Sequence, residues 1–154
     1  MSRSSGKVSR RAFLATVSLG AAGLALAPAT ASADAAGVAA EIKKLIGDKV
    51  PKDGKVKLEL PSIAENGLVV PLVFSVDSPM TESDYVKAVH FFAEENPLPH
   101  VASFHFTPMI PKAAGQVRIR LAKTQNVVAV AVMSNGDVYR AAQEVKVTIG
   151  GCGG

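Results

Sequence analysis

Tryptophan is absent, cysteine occurs once, and aromatic residues make up only 5% of the 154-residue chain. A single cysteine excludes an internal disulfide, a C-x-x-C redox pair and any multi-thiolate metal site. No G-x-S-x-G, H-E-x-x-H, P-loop or dinucleotide fingerprint occurs, so none of the chemistries those motifs serve is written here. Internal repeats and helix–strand alternation of the α/β kind are missing too. Charge is scarce, at 19%, with a formal net charge of +4. Arg3, Lys7, Arg10 and Arg11 are the only charges before Asp34, and the remaining basic residues equal the 13 acidic ones. The body is therefore neutral, which removes any electrostatic case for binding nucleic acid or an anionic membrane surface.

What is there begins with an address. Residues 1–11 are polar and cationic, residues 12–27 are uncharged and rich in Ala, Gly and Leu, and Ala31-Ser32-Ala33 offers a small-x-small cleavage site. This is the architecture of a secretory signal with no membrane insertion, because the apolar run is short of the roughly 20 residues a bilayer span needs. Ser9-Arg10-Arg11-Ala12-Phe13-Leu14 resembles the twin-arginine signature, with Ala15 where Lys is common. We expect residues 1–33 to form a twin-arginine signal peptide built around Arg10 and Arg11, and the mature protein to reach the periplasm. Export in the folded state implies something acquired beforehand. With no cofactor motif in the chain, we expect that to be a partner subunit lacking its own signal.

Residues 34–149 read as an all-β, immunoglobulin-like sandwich of about seven strands, preceded by a short helix. Val38, Ile42, Leu45 and Ile46 have helical spacing, and Gly47 stops the run. Lys55 to Leu60 alternates as a strand with one wet face does. Leu68 to Val76 is a longer apolar run in which Pro71 predicts an edge or a bulge. Further strands are expected at Val86 to Ala93, Val101 to Phe106, Gln116 to Ala122 and Val127 to Met133. Asn135-Gly136 marks a hairpin completed by Val138 to Ala142 and Glu144 to Ile149. Short strands separated by turn signals favour the sandwich.

Candidate chemistry within this body is thin. His105 and Met109, with the sulfur of Cys152, are soft donors of the kind copper accepts. Such a site also wants a second His and a rigidly held Cys, while His90 and His105 lie inside apolar strands as ordinary sheet histidines do. No metal or other cofactor is assigned. Glu94-Glu95, the one close carboxylate pair, adjoins Asn96-Pro97 and reads as a solvated turn. Tyr85 and Tyr139 read as sheet packing. The domain does not look like an enzyme.

The end of the sequence is unusual. Gly150-Gly151-Cys152-Gly153-Gly154 follows a strand and sets the single cysteine among glycines (residues 150–154). Glycine has no side chain to pack and the widest backbone freedom, so the segment is expected to be a flexible arm with an exposed thiol. At ~3.3–3.6 Å per residue the sulfur can stand on the order of 10 Å clear of Ile149. A thin arm of this kind suits entry into a narrow pocket of another protein, and the entropy of ordering it favours transient contact. A permanent intermolecular disulfide would ask for fixed geometry, which glycines do not supply. Nothing cationic neighbours Cys152 in sequence, so the thiol is expected to ionise no more readily than a free cysteine, with pKa ~8.5.

This tail, after Val145-Lys146-Val147-Thr148-Ile149, resembles that of the SoxY family, the Y subunit of the Sox sulfur-carrier complex. Phe91 to Pro99 (FFAEENPLP), Phe104-His105-Phe106, Arg118 to Ala122 (RIRLA) and Thr124 to Ala131 (TQNVVAVA) are similar to that family as well. The resemblance implies a heterodimer with a SoxZ-like subunit and covalent attachment of sulfur intermediates to Cys152. It implies three visiting enzymes: a c-type haem protein that couples thiosulfate to the cysteine, a dimanganese hydrolase that releases sulfate, and a sulfur dehydrogenase. The other reading open at this point is a non-catalytic periplasmic adaptor or copper-binding module with an accessory thiol tail.

Overall fold

A computed structural model of the chain describes residues 35–150. Arg10, Arg11, the expected cleavage site and residues 151–154 lie outside the described residues.

Helix α1 (Ala35–Ile46) carries Val38, Ile42 and Ile46 on one face at four-residue spacing. It ends where Gly47 takes a φ of 67° and donates its N–H to the Lys43 carbonyl at 2.8 Å, the left-handed cap that glycine adopts without strain. Leu45, expected on the apolar face, is exposed.

Nine strands follow: β1 (Lys52–Asp53), β2 (Val56–Glu59), β3 (Ile63–Asn66), β4 (Val70–Val76), β5 (Val86–Ala93), β6 (His100–His105), β7 (Ala113–Ile119), β8 (Gln125–Met133) and β9 (Val138–Ile149). One sheet has the order β1-β9-β8-β5-β6, with β3 also paired to β9, and the other has the order β2-β4-β7. All pairs are antiparallel except those of β1 and β3 with β9. The immunoglobulin-like sandwich expected from the sequence is the fold observed.

The two faces of the larger sheet explain its sequence. Inner residues Val89, Phe91, Val127, Ala129 and Val145 meet Leu72, Phe74 and Ile119 of the smaller sheet. On the outer face Phe92, Val128, Val130 and Val138 are covered by Val38 and Ile46 of α1. Strands β5 and β8 are thus buried on both sides, so they read as unbroken apolar runs, whereas β7, wet on one face, alternates. Within the core, the Phe74 ring lies 4.9 Å from that of Phe91 and 5.0 Å from that of Phe104, centroid to centroid, in tilted or edge-on contact.

Several boundaries differ from expectation, each for a visible reason. Two short strands, β1 and β3, exceed the expected number. Residues 138–149 form a single strand, because Gln143 stays in the ladder opposite Val127 and directs its amide sideways. That amide donates to the Leu60 carbonyl at 2.8 Å and accepts from the Leu60 N–H at 3.2 Å. Pro71 lies in the middle strand of its sheet, yet β2 reaches β4 only from Val73 onward, so at Pro71 the neighbour is β7 alone. The missing N–H therefore falls at a local edge. The Asn135-Gly136 turn forms as read, with Gly136 at φ 86° and the Asn135 side chain accepting from Asp137 N–H at 2.8 Å.

Candidate functional site: the root of the glycine arm

Strand β9 carries the chain to the arm, and its last residues are held from both sides. Lys146, Val147 and Ile149 pair in parallel with Ile63, Ala64 and Asn66 of β3. Gly67 N–H donates to the Ile149 carbonyl at 2.9 Å. The Thr148 hydroxyl donates to the Glu65 carbonyl at 2.9 Å, and Val147 N–H donates to the Thr124 hydroxyl at 2.9 Å. β3 is thus the strap that fixes the end of β9. It is short and half polar, which is why pattern reading passes over it.

Gly150, the first residue of the expected arm, closes on the 120–125 segment. A Cβ placed on it would collide with the Ala122 carbonyl oxygen. Glycine is required here by close backbone approach.

Beneath this contact lies a buried amide pair. Asn96 donates to the Arg120 carbonyl at 2.8 Å and accepts from Ala122 N–H at 2.9 Å and from Gln125 Nε2 at 3.0 Å. Gln125 also donates to the Lys123 carbonyl at 3.0 Å and accepts from Glu95 N–H at 2.7 Å. Asn96 and Gln125 are both buried. The chain turns at Glu94-Glu95 as expected, with both residues half-buried, and the adjoining Asn96 points inward and bonds the segment against which Gly150 rests. A buried amide must find partners, and the free backbone groups of residues 120–123 supply them. Around the root, Leu68, Val69 and Ile149 are exposed.

The histidines stand elsewhere, on the outer face of β5 and β6. His90 Nδ1 and His100 Nε2 each lie 2.8 Å from the Ser103 hydroxyl, and His105 is 6.0 Å from His90 by ring centroids. Burial, followed by the neighbouring His100 and His105, pushes the His90 pKa below its ordinary value. His90 is a hydrogen-bonded sheet residue, as expected. Met109 is 93% exposed, and no group of three or more His, Cys, Asp or Glu side chains among the described residues is placed to hold a metal ion. Of the sequence-predicted arm and signal residues, the structure describes Gly150; Gly151, Cys152, Gly153, Gly154, Arg10 and Arg11 lie outside the described residues.

The family model for sulfur oxidation protein SoxY matches residues 42–152. A solved structure of the sulfur carrier protein SoxY from Chlorobium limicola f thiosulfatophilum is 33% identical, with a TM-score of 0.64, and covers 75% of this chain and all of that one. The chain belongs to the SoxY family. Two further structures share only the fold with this SoxY-family chain. A superoxide reductase (neelaredoxin) from Ignicoccus hospitalis is 17% identical at TM-score 0.55, covering 60% of this chain and 79% of that one. A putative superoxide reductase from Thermotoga maritima is 13% identical at TM-score 0.56, covering 63% and 93%. No curated protein sequence matches the chain. The matched segment runs from within α1 to residue 152 and so spans the whole sandwich. No helix among the described residues is long and apolar enough to cross a membrane.

Proposed function

We propose that this SoxY-family chain is the covalent sulfur carrier of periplasmic thiosulfate oxidation, with Cys152 as the attachment point and Gly150, Gly151, Gly153 and Gly154 as its arm. The observation that supports this most directly is the root. Strand β9 is clamped through Ile149, and the next residue must be glycine because the Ala122 carbonyl lies against it. A fixed root followed by a side-chain-free segment gives the sulfur a defined origin and free reach.

In loading, an S–S bond forms between Cys152 and the outer sulfur of thiosulfate. One thiol proton leaves, and two electrons pass to a c-type haem enzyme. A dimanganese hydrolase then adds water across the terminal S–S bond, releasing sulfate and leaving a persulfide. A sulfur dehydrogenase oxidises the outer sulfur to a sulfonate, taking its oxygen atoms from water and passing the electrons to a c-type haem acceptor, and a second hydrolysis releases sulfate and returns the thiol. In this reading a SoxZ-like subunit completes the carrier. The pair leaves the cytoplasm on the twin-arginine signal of residues 1–33, so that residues 34–149 and the arm of residues 150–154 form the mature chain. The exposed Leu68, Val69 and Ile149 around the root offer visiting enzymes an apolar footing.

The test is the intact mass of the unreduced protein from cells fed thiosulfate. Discrete sulfur adducts, removed by reductant and absent in Cys152→Ser, are the expected result. A bare thiol in every preparation would instead favour an adaptor whose tail is accessory.

A further inference from the structure

The two sheets leave a cleft of about 270 Å³ at their open side, between edge strands β6 and β7 and the 96–98 turn. Its lining includes Arg118, Arg120, His100, Asn96, Leu98 and Val101. Arg118 and Arg120 are two apart on and just beyond β7, so they project from the same face. Neither forms an ion pair among the described residues. The two carboxylates that immediately precede the 96–98 turn are engaged elsewhere: Glu95 with Lys123 at 2.7 Å, and Glu94 with Asn126 at 2.8 Å. Two guanidinium groups over a partly apolar floor, with no carboxylate paired to them among the described residues, form a receptor for a compact oxyanion.

The cleft also adjoins the arm root. Asn96 lines it and bonds Arg120 and Ala122, and Gly150 rests on Ala122. Ala122 is two residues from Arg120, and Cys152 is two residues from Gly150. Each span is at most about 7 Å of extended chain, so the cleft lies within the chain length available to an adduct on Cys152.

We infer that the Arg118–Arg120 cleft binds the sulfonate end of a sulfur oxyanion. Two sources share this chemistry: free thiosulfate, and a thiosulfonate carried on Cys152. The second rests on the carrier reading above and the first does not. Loading adds an anionic sulfonate to the arm, so the cleft favours the loaded arm over the empty thiol.

The test uses the full mature chain, 15N-labelled, with whatever subunit accompanies it. Thiosulfate is titrated into Cys152→Ala at constant ionic strength, with chloride as control. Separately, the wild-type thiol is treated with tetrathionate, from which the thiolate displaces thiosulfate to leave Cys152 as the thiosulfonate. Saturable shifts of the Arg118, Arg120 and Ala122 signals in the titration, with at least tenfold weaker binding in Arg118→Gln/Arg120→Gln, support a free-ion site. The same shifts appearing only in the tetrathionate-treated protein, and lost in the double variant, support the arm-borne source. Unchanged core signals of Val89 and Phe91 establish that the variant is folded. Absence of cleft shifts in both arms, or shifts that persist in the double variant, overturns the inference. Cleft binding alongside a Cys152 that stays bare in cells would end the carrier reading and leave the cleft standing. Adducts in cells without cleft shifts would do the reverse.

Discussion

Gly115 on β7 faces Phe74 on β4, and a Cβ built there would stand 2.9 Å from Phe74 Cε1 and 3.0 Å from Cζ. The ring cannot withdraw, since Phe91 and Phe104 hold its other sides. We expect Gly115→Ala to cost about 1–3 kcal/mol, as overpacking of a filled core does. It should appear as a lower urea midpoint with an unchanged slope. His90 offers a pH-linked counterpart. Its folded pKa lies below the ordinary 6.5 because burial, then His100 and His105, oppose its charge. As pH falls below 6.5 the unfolded chain takes up a proton that the folded chain refuses, so stability declines until the lowered folded pKa is reached. Above 6.5 both states are neutral and the effect vanishes. One such group steepens the decline by at most ~1.4 kcal/mol per pH unit. His90→Gln should flatten urea stability between pH 6.5 and 5, and an unchanged slope would assign the acid sensitivity elsewhere.

At the scale of elements, strand runs were legible wherever burial imposed a pattern. β5 is bounded as its sequence reads, because both of its faces are apolar, and α1 ends at Gly47 as its cap residue dictates. Segments held by polar bonds were not legible. β3 and the Asn96–Gln125 pair carry no hydrophobic signature; their order comes from partners about 30 to 80 residues away in the chain. The candidate site divides in the same way. Composition alone singled out Gly150 and Cys152, whereas the cradle that fixes the root appears only when strands distant in sequence meet. Asn96→Ala tests that cradle. It would leave the Arg120 carbonyl, Ala122 N–H and Gln125 Nε2 without their shared partner, at an expected cost of about 1–3 kcal/mol. Amide exchange should quicken at Ala122 and at Val147 to Ile149 while the centre of β5 stays protected. Uniform loss of protection would show that Asn96 supports the whole sandwich instead of the root.

For the molecule as a whole, one end of the sandwich is firm where β9 meets the glycines around Cys152, and the carrier reading proposed above separates holding a sulfur from activating it. The fold supplies a root, and the arm's flanking glycines supply no cation to the thiol. The thiolate is the reactive form of cysteine and is usually stabilised by a helix N-terminus, a neighbouring cation or a metal. The arginines of the adjoining cleft would be available to an anion, but an uncharged thiol gains nothing from them that offsets the ordering of a glycine arm. In the proposed reading, such a carrier would leave activation to the enzymes it visits and keep the idle sulfur inert between visits. We therefore expect Cys152, in the protein with no client enzyme present, to titrate near the free-cysteine value of ~8.5. The measurement is the rate of alkylation by iodoacetamide against pH. An inflection well below ~7 would mean that the fold itself draws out the thiolate, and it would place the arginines of the cleft first among the causes to test.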